Sequence, residues 1–191
     1  MMGRIHGFIL ALAWGAAAPL AAESQRLSLG PHEHGAGQIN VVLDGNDLML
    51  ELLAPAGDMV GFEHMPVTVK ERMAVRRVAA ELARADRLFA LPAAAGCTLA
   101  KAEVDGEQME AIGHKHDHDH DHAAHKHDSH AHAEYHATYR YVCRQPQALT
   151  HLDVKLFSAY TTLARLRWQA VLPGGARAGE LTPATTALSL R

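Results

Sequence analysis

Histidine sets this 191-residue chain apart: it occurs fifteen times, against eighteen lysines and arginines together. Ten of the fifteen lie between His114 and His136, mixed with Asp117, Asp119, Asp121, Asp128 and Glu134. Neutral imidazole is the commonest protein ligand for metal ions, and zinc takes nitrogen and carboxylate donors in a tetrahedron. His114, His116, His118, His120 and His122 alternate with lysine or aspartate, so an extended backbone puts the imidazoles on one side and the carboxylates on the other. With His125, His127, His130, His132 and His136 they offer many overlapping ligand sets for Zn2+. Ordering such a tract costs conformational entropy, which makes each of its sites weaker than a preformed one and poorly selective against copper and nickel. The plainer reading is a solubilising spacer, a task that histidine, mostly neutral near pH 7, performs badly.

A sparser second set lies outside the tract. His32 and His34 are one residue apart and project to one side of an extended chain, with Gly35 and Gly37 allowing close backbone approach. His64 stands in the loop Gly61-Phe62-Glu63-His64-Met65-Pro66. The three form a candidate preformed three-nitrogen site, its fourth position open to water, Glu63 or a histidine of the tract. A chance His-x-His pair plus a hydrogen-bonded loop histidine is the alternative, and the spacing alone leaves both open. His151 and Asp153 also share a strand face, but an exposed strand face ordinarily carries polar residues, so neither is assigned to the site.

These residues need a frame. Ile39, Val41 and Leu43, then Asp44-Gly45-Asn46-Asp47, then Leu48, Leu50 and Leu52 alternate with period two and predict a β-hairpin. Pro55 to Pro66 contains Gly57 and Gly61 and reads as an irregular connection. Thr68 and Glu71 make a capping box, after which Val75, Val78, Leu82, Ala85 and Phe89 recur at helical spacing, predicting one amphipathic helix over about 68–89. Alternation returns at Thr98 to Asp105. It resumes after the tract at Tyr135 to Cys143, Leu152 to Leu156 and Leu166 to Ala170, with a last strand within Leu181 to Leu190. The pattern is that of an α+β, β-rich antiparallel domain interrupted by a disordered His-rich insertion at about 107–134.

Arg4, the apolar stretch Phe8 to Ala18 and the small residues Leu20-Ala21-Ala22 predict a cleavable signal peptide over 1–22, too short in its apolar part to span a bilayer. The remaining 23–191 then form one exported domain. In an oxidising compartment its two cysteines, Cys97 and Cys143, read as a disulfide rather than as metal ligands, since neither has a second cysteine two to four residues away. Twenty-one acidic against eighteen basic residues leave no basic excess for nucleic acid.

His32-Glu33-His34-Gly35 with the hairpin, Gly61-Phe62-Glu63-His64, the Cys-bracketed His/Asp tract, Tyr139-Arg140-Tyr141-Val142-Cys143, Trp168-Gln169-Ala170-Val171 and Glu180-Leu181-Thr182 together resemble the ZrgA-type periplasmic zinc-uptake proteins. The resemblance covers nearly the whole of 23–191. It implies a barrel-like β-rich domain plus helix, in a zinc-binding component that serves an inner-membrane ABC importer. Ser158-Ala159-Tyr160 departs from the aromatic-proline turn expected of the family, which concerns the loop after Phe157 and not the histidines. The leading expectation is therefore a non-enzymatic periplasmic protein whose tract captures zinc and whose His32, His34, His64 site holds it for delivery. A metal sponge for tolerance is the rival that sequence cannot separate. A zinc hydrolase lacks any His-Glu-x-x-His signature or a candidate base better placed than Glu63.

Overall fold

A computed structural model of the chain describes residues 33–113 and 133–191. The alternation after Gly35 builds β1 (Ala36–Asp44) and β2 (Asp47–Pro55), antiparallel in a register that pairs Ile39 with Leu52, Val41 with Leu50 and Leu43 with Leu48 on the inner face. Gly45 at φ +56 opens the two-residue turn between them, a conformation favouring glycine. After a single helical turn, α1 (Ala56–Met59), the capping box forms as the sequence predicts. Thr68 Oγ1 accepts the Glu71 amide at 3.1 Å and Glu71 Oε2 accepts the Thr68 amide at 2.8 Å, starting α2 (Val69–Leu82).

The expected helix over 68–89 is too long: α2 ends at Leu82, and a separate turn, α3 (Ala85–Leu88), leads into β3 (Phe89–Ala90). Arg84 leaves helical geometry at ψ 70°, and the chain turns extended so that Phe89 pairs with Val154. The Tyr139 hydroxyl donates to the Leu82 carbonyl at 2.7 Å and so satisfies a last-turn acceptor.

Beyond them come β4 (Cys97–Gly106), α4 (Glu107–Gly113), β5 (Glu134–Cys143), β6 (His151–Val154), α5 (Leu156–Ala159), β7 (Arg165–Leu172), β8 (Gly175–Leu181) and β9 (Ala187–Ser189). The start of the expected insertion at 107–113 is thus the helix α4, and Glu134, its expected end, opens β5. The turn α5 stands where the family's aromatic-proline turn was expected, and Tyr160 beyond it is buried.

Six strands form one sheet in the order β4-β5-β2-β1-β7-β8, and three form another in the order β3-β6-β9. Two features depart from an antiparallel, barrel-like domain. β1 and β7 run parallel, Ile39 beside Trp168, and the larger sheet is open, ending at β4 and β8. β8 escapes an alternation search because all but Leu181 of its residues are exposed. Its placement rests on backbone pairing with β7 and on Gly179, where a Cβ would lie 2.8 Å from Trp168 Nε1. Tyr135, Ala137, Tyr139 and Tyr141 on the inner face of β5 join Val75, Val78 and Leu82 of α2 and Leu152, Val154 and Leu188 of the smaller sheet in one buried core. Cys97 and Cys143, opposite each other on β4 and β5, form the disulfide. Among the described residues no helix is long and apolar enough to cross a membrane.

Candidate metal centre

Of the described histidines, His34 and His64 lie just before β1 and in the loop that follows β2 and α1. Glu33 is gripped by Arg165 and Arg167 of β7, the latter at 3.1 Å. The hydrogen bond and charge of Arg165 hold the Glu33 carboxyl below the usual carboxylate range. Immediately after His34 the backbone turns at Gly35, φ +76. The Gly35 carbonyl receives the amides of Ala164 and Arg165, and its own amide donates to Asp58 Oδ2 at 2.6 Å. Asp58 is buried in α1, and its carbonyl accepts from Thr162 Oγ1 at 2.9 Å. The segment 33–35 is therefore fixed from both sides, with the His34 ring left exposed.

Opposite it stands Glu63. His34 Nδ1 and Glu63 Oε1 are 3.5 Å apart, close to the roughly 3.4 Å expected of two donors that share a tetrahedral zinc at bond lengths of about 2.0–2.2 Å. Gly57 makes room for this carboxylate, since a Cβ there would lie 3.2 Å from Glu63 Oε1. His64 has a different setting. Its ring stacks on Phe62 with centroids 4.7 Å apart, Nδ1 lies 3.0 Å from the Met65 carbonyl and Nε2 lies 3.9 Å from Glu71 Oε1. A neutral ring donating from Nδ1 to that carbonyl keeps the Nε2 lone pair for a metal. Burdened with the cap of α2 on its other oxygen, Glu71 is held ionised by the Thr68 amide, which lowers its pKa.

The structure thus pairs His34 with Glu63 and His64 with Glu71. Among the described residues, no three His, Cys, Asp or Glu side chains are grouped closely enough to hold an ion. His32 and the tract residues His114, His116, His118, His120, His122, His125, His127, His130 and His132 lie outside the described residues. His136 belongs to β5, with Nε2 at 3.1 Å from Glu134 Oε2. His151 and Asp153, assigned no role, lie 3.6 Å apart on β6.

Asp58 and Gln108 escape sequence reasoning, although both act on this site. Gln108 of α4 is 1% exposed; its Nε2 donates to the carbonyls of Phe62 at 3.1 Å and His64 at 2.9 Å, and its Oε1 accepts from the Tyr135 hydroxyl at 3.3 Å. Close by, Ala56 donates to the Ala133 carbonyl at 2.8 Å and Glu107 Oε2 accepts the Glu134 amide at 2.9 Å. Both ends of the tract-bearing segment, at α4 and at the start of β5, are therefore anchored beside the loop that carries Glu63 and His64.

A family model described as ZrgA family zinc uptake protein matches residues 31–190, which takes in the whole of this centre and the frame that holds it. Among curated proteins none matches the chain.

Proposed function

Because the chain belongs to the ZrgA family of zinc uptake proteins, we propose that it is a periplasmic zinc carrier, exported by the signal peptide at 1–22. Its histidine tract captures Zn2+, the His34–Glu63 pair holds it with His32 and with His64, which must move in from beside Glu71 as the ion binds, and the loaded protein delivers it to an inner-membrane ABC importer. Zinc is cargo here and the protein performs no reaction on it. The observation that carries the reading is the His34–Glu63 pair, set at metal-sharing distance by a turn clamped through Asp58, Arg165 and Arg167. The disulfide fits a compartment that keeps thiols oxidised.

The proximity of the tract's anchored ends to the ordered site favours transfer within one molecule. Two binding elements joined closely in one chain meet at an effective concentration on the order of millimolar, so an ion held near either end of the tract reaches the tighter site without returning to bulk solution. Competition titration against a calibrated chelator tests the division of labour. Replacing 114–132 by a Gly/Ser linker should lower the number of ions bound and keep the tightest. His64→Ala should weaken the tightest by at least about tenfold, or roughly 1.4 kcal/mol, and keep several weaker ones. The reverse pattern would make the tract the whole metal chemistry of the protein.

A further inference from the structure

The loop that carries Glu63 and His64 belongs to no helix or strand between residues 61 and 67, so neither a ladder nor a helical turn fixes its backbone. At its far end Glu71 and Arg72 of α2 bond the Val67 amide and carbonyl; around Glu63 its backbone is held by Gln108 of α4. Gln108 spends both donors of its carboxamide on the carbonyls immediately before and after Glu63, those of Phe62 and His64. The orientation of the amide follows from its neighbours: two carbonyls can only accept, so the NH2 end faces them, and the Tyr135 hydroxyl donates to the remaining oxygen. For packing alone, an apolar residue would serve at a position 1% exposed, as the half-buried Met109 and Ile112 do on the same helix. A carboxamide with all three hydrogen bonds made has a more specific consequence, because a buried polar network selects one arrangement of the groups it joins.

We propose that Gln108 is the positioning residue of the metal-binding loop: through the carbonyls of Phe62 and His64 it holds Glu63 opposite His34, and it joins that loop to both ends of the tract-bearing segment, α4 on one side and Tyr135 of β5 on the other. The inference rests on the proposed metal role of Glu63 and His64. Gly106, just before α4, permits the close approach that the joint needs, since a Cβ there would lie 2.5 Å from the Glu134 carbonyl oxygen.

The test uses the full chain and zinc itself. Gln108→Leu keeps the buried volume and removes the three hydrogen bonds; Tyr139→Phe removes a buried bond to α2 elsewhere and serves as a control for general destabilisation. Chelator competition should show the tightest ion weakened about 10- to 100-fold in Gln108→Leu, the usual cost of losing a residue that orients a metal ligand. The number of weaker ions should be unchanged, and Tyr139→Phe should keep the tightest affinity despite a lowered melting temperature. In the unsubstituted protein, the first equivalent of zinc should shift the Gln108 side-chain amide resonances together with those of the His34 and His64 rings. Side-chain amide signals that stay still while the ring signals move overturn the proposal even if Gln108→Leu does not fold. A Gln108→Leu protein of normal zinc affinity, in a background where His64→Ala loses it, also overturns it. If His64→Ala and Glu63→Gln both leave the tightest ion in place, the ordered site itself is wrong, and the positioning role falls with it.

Discussion

Replacing Asp58 by alanine removes the buried carboxylate that receives the Gly35 amide at 2.6 Å. Gly35 is itself buried, and its carbonyl is already engaged by Ala164 and Arg165, so the turn has no solvent to fall back on. A buried amide left without its acceptor costs about 1–3 kcal/mol, and a hydrogen bond to a charged group contributes about 1.5–3 kcal/mol, so a loss near 2 kcal/mol is expected. For a domain of this size that lowers Tm by about 4–8 °C. The metal consequence is separate: His34 precedes the freed turn, and its 3.5 Å approach to Glu63 loses one of its two supports, so the tightest zinc affinity should fall about tenfold. Asp58→Asn retains an oxygen at the same place and should lose less of both. Calorimetry of the metal-free protein and chelator competition measure the two effects independently. A destabilised Asp58→Ala protein with normal zinc affinity would refute the claim that this turn positions His34.

Reducing the Cys97–Cys143 disulfide, which closes a loop of 46 positions, should cost roughly 4 kcal/mol of stability by chain entropy, while the zinc stoichiometry stays as it was; a thermal melt and a zinc count with and without reductant check both. Acid should empty the protein before it unfolds it. Glu33 has its folded pKa lowered below 4.5 by Arg165, so its contribution to stability is fully present above that value and disappears only as pH falls through the folded pKa. Imidazoles, with an ordinary pKa of about 6.5, are already protonated near pH 5. Zinc release between about pH 7 and 5 should therefore precede any change in the fluorescence of Trp168, which packs on Gly179; coincident transitions would contradict the assignment of the Glu33 clamp.

The hairpin was legible in the sequence because Ile39 to Leu52 alternate on both sides of a glycine turn, and the start of α2 because Thr68 and Glu71 carry a local hydrogen-bonding signature. The end of α2 was not, since Phe89 continues the helical periodicity and only its pairing with Val154, far along the chain, draws it into a strand. Likewise, the parallel neighbours β1 and β7 are brought together by long-range packing that leaves no periodic trace, and β8 buries almost nothing that a pattern could register. At the site, Glu63 was visible as the neighbour of His64 and a candidate donor. Asp58 and Gln108 were not, because their partners lie 23, 44 and 46 residues away and a lone polar residue in a connection announces no partner.

On this reading an ordered centre beside β1, and not the tract alone, holds the tightest ion. An anomalous difference map at the zinc absorption edge, from crystals of the protein loaded with one equivalent of zinc, tests it most directly. A single strong peak is expected within bonding distance, about 2.0–2.2 Å, of His34 Nδ1 and Glu63 Oε1, with His32 and a His64 ring moved from beside Glu71 as further ligands. No peak at that place, with zinc found only among the side chains of 114–132, would contradict it.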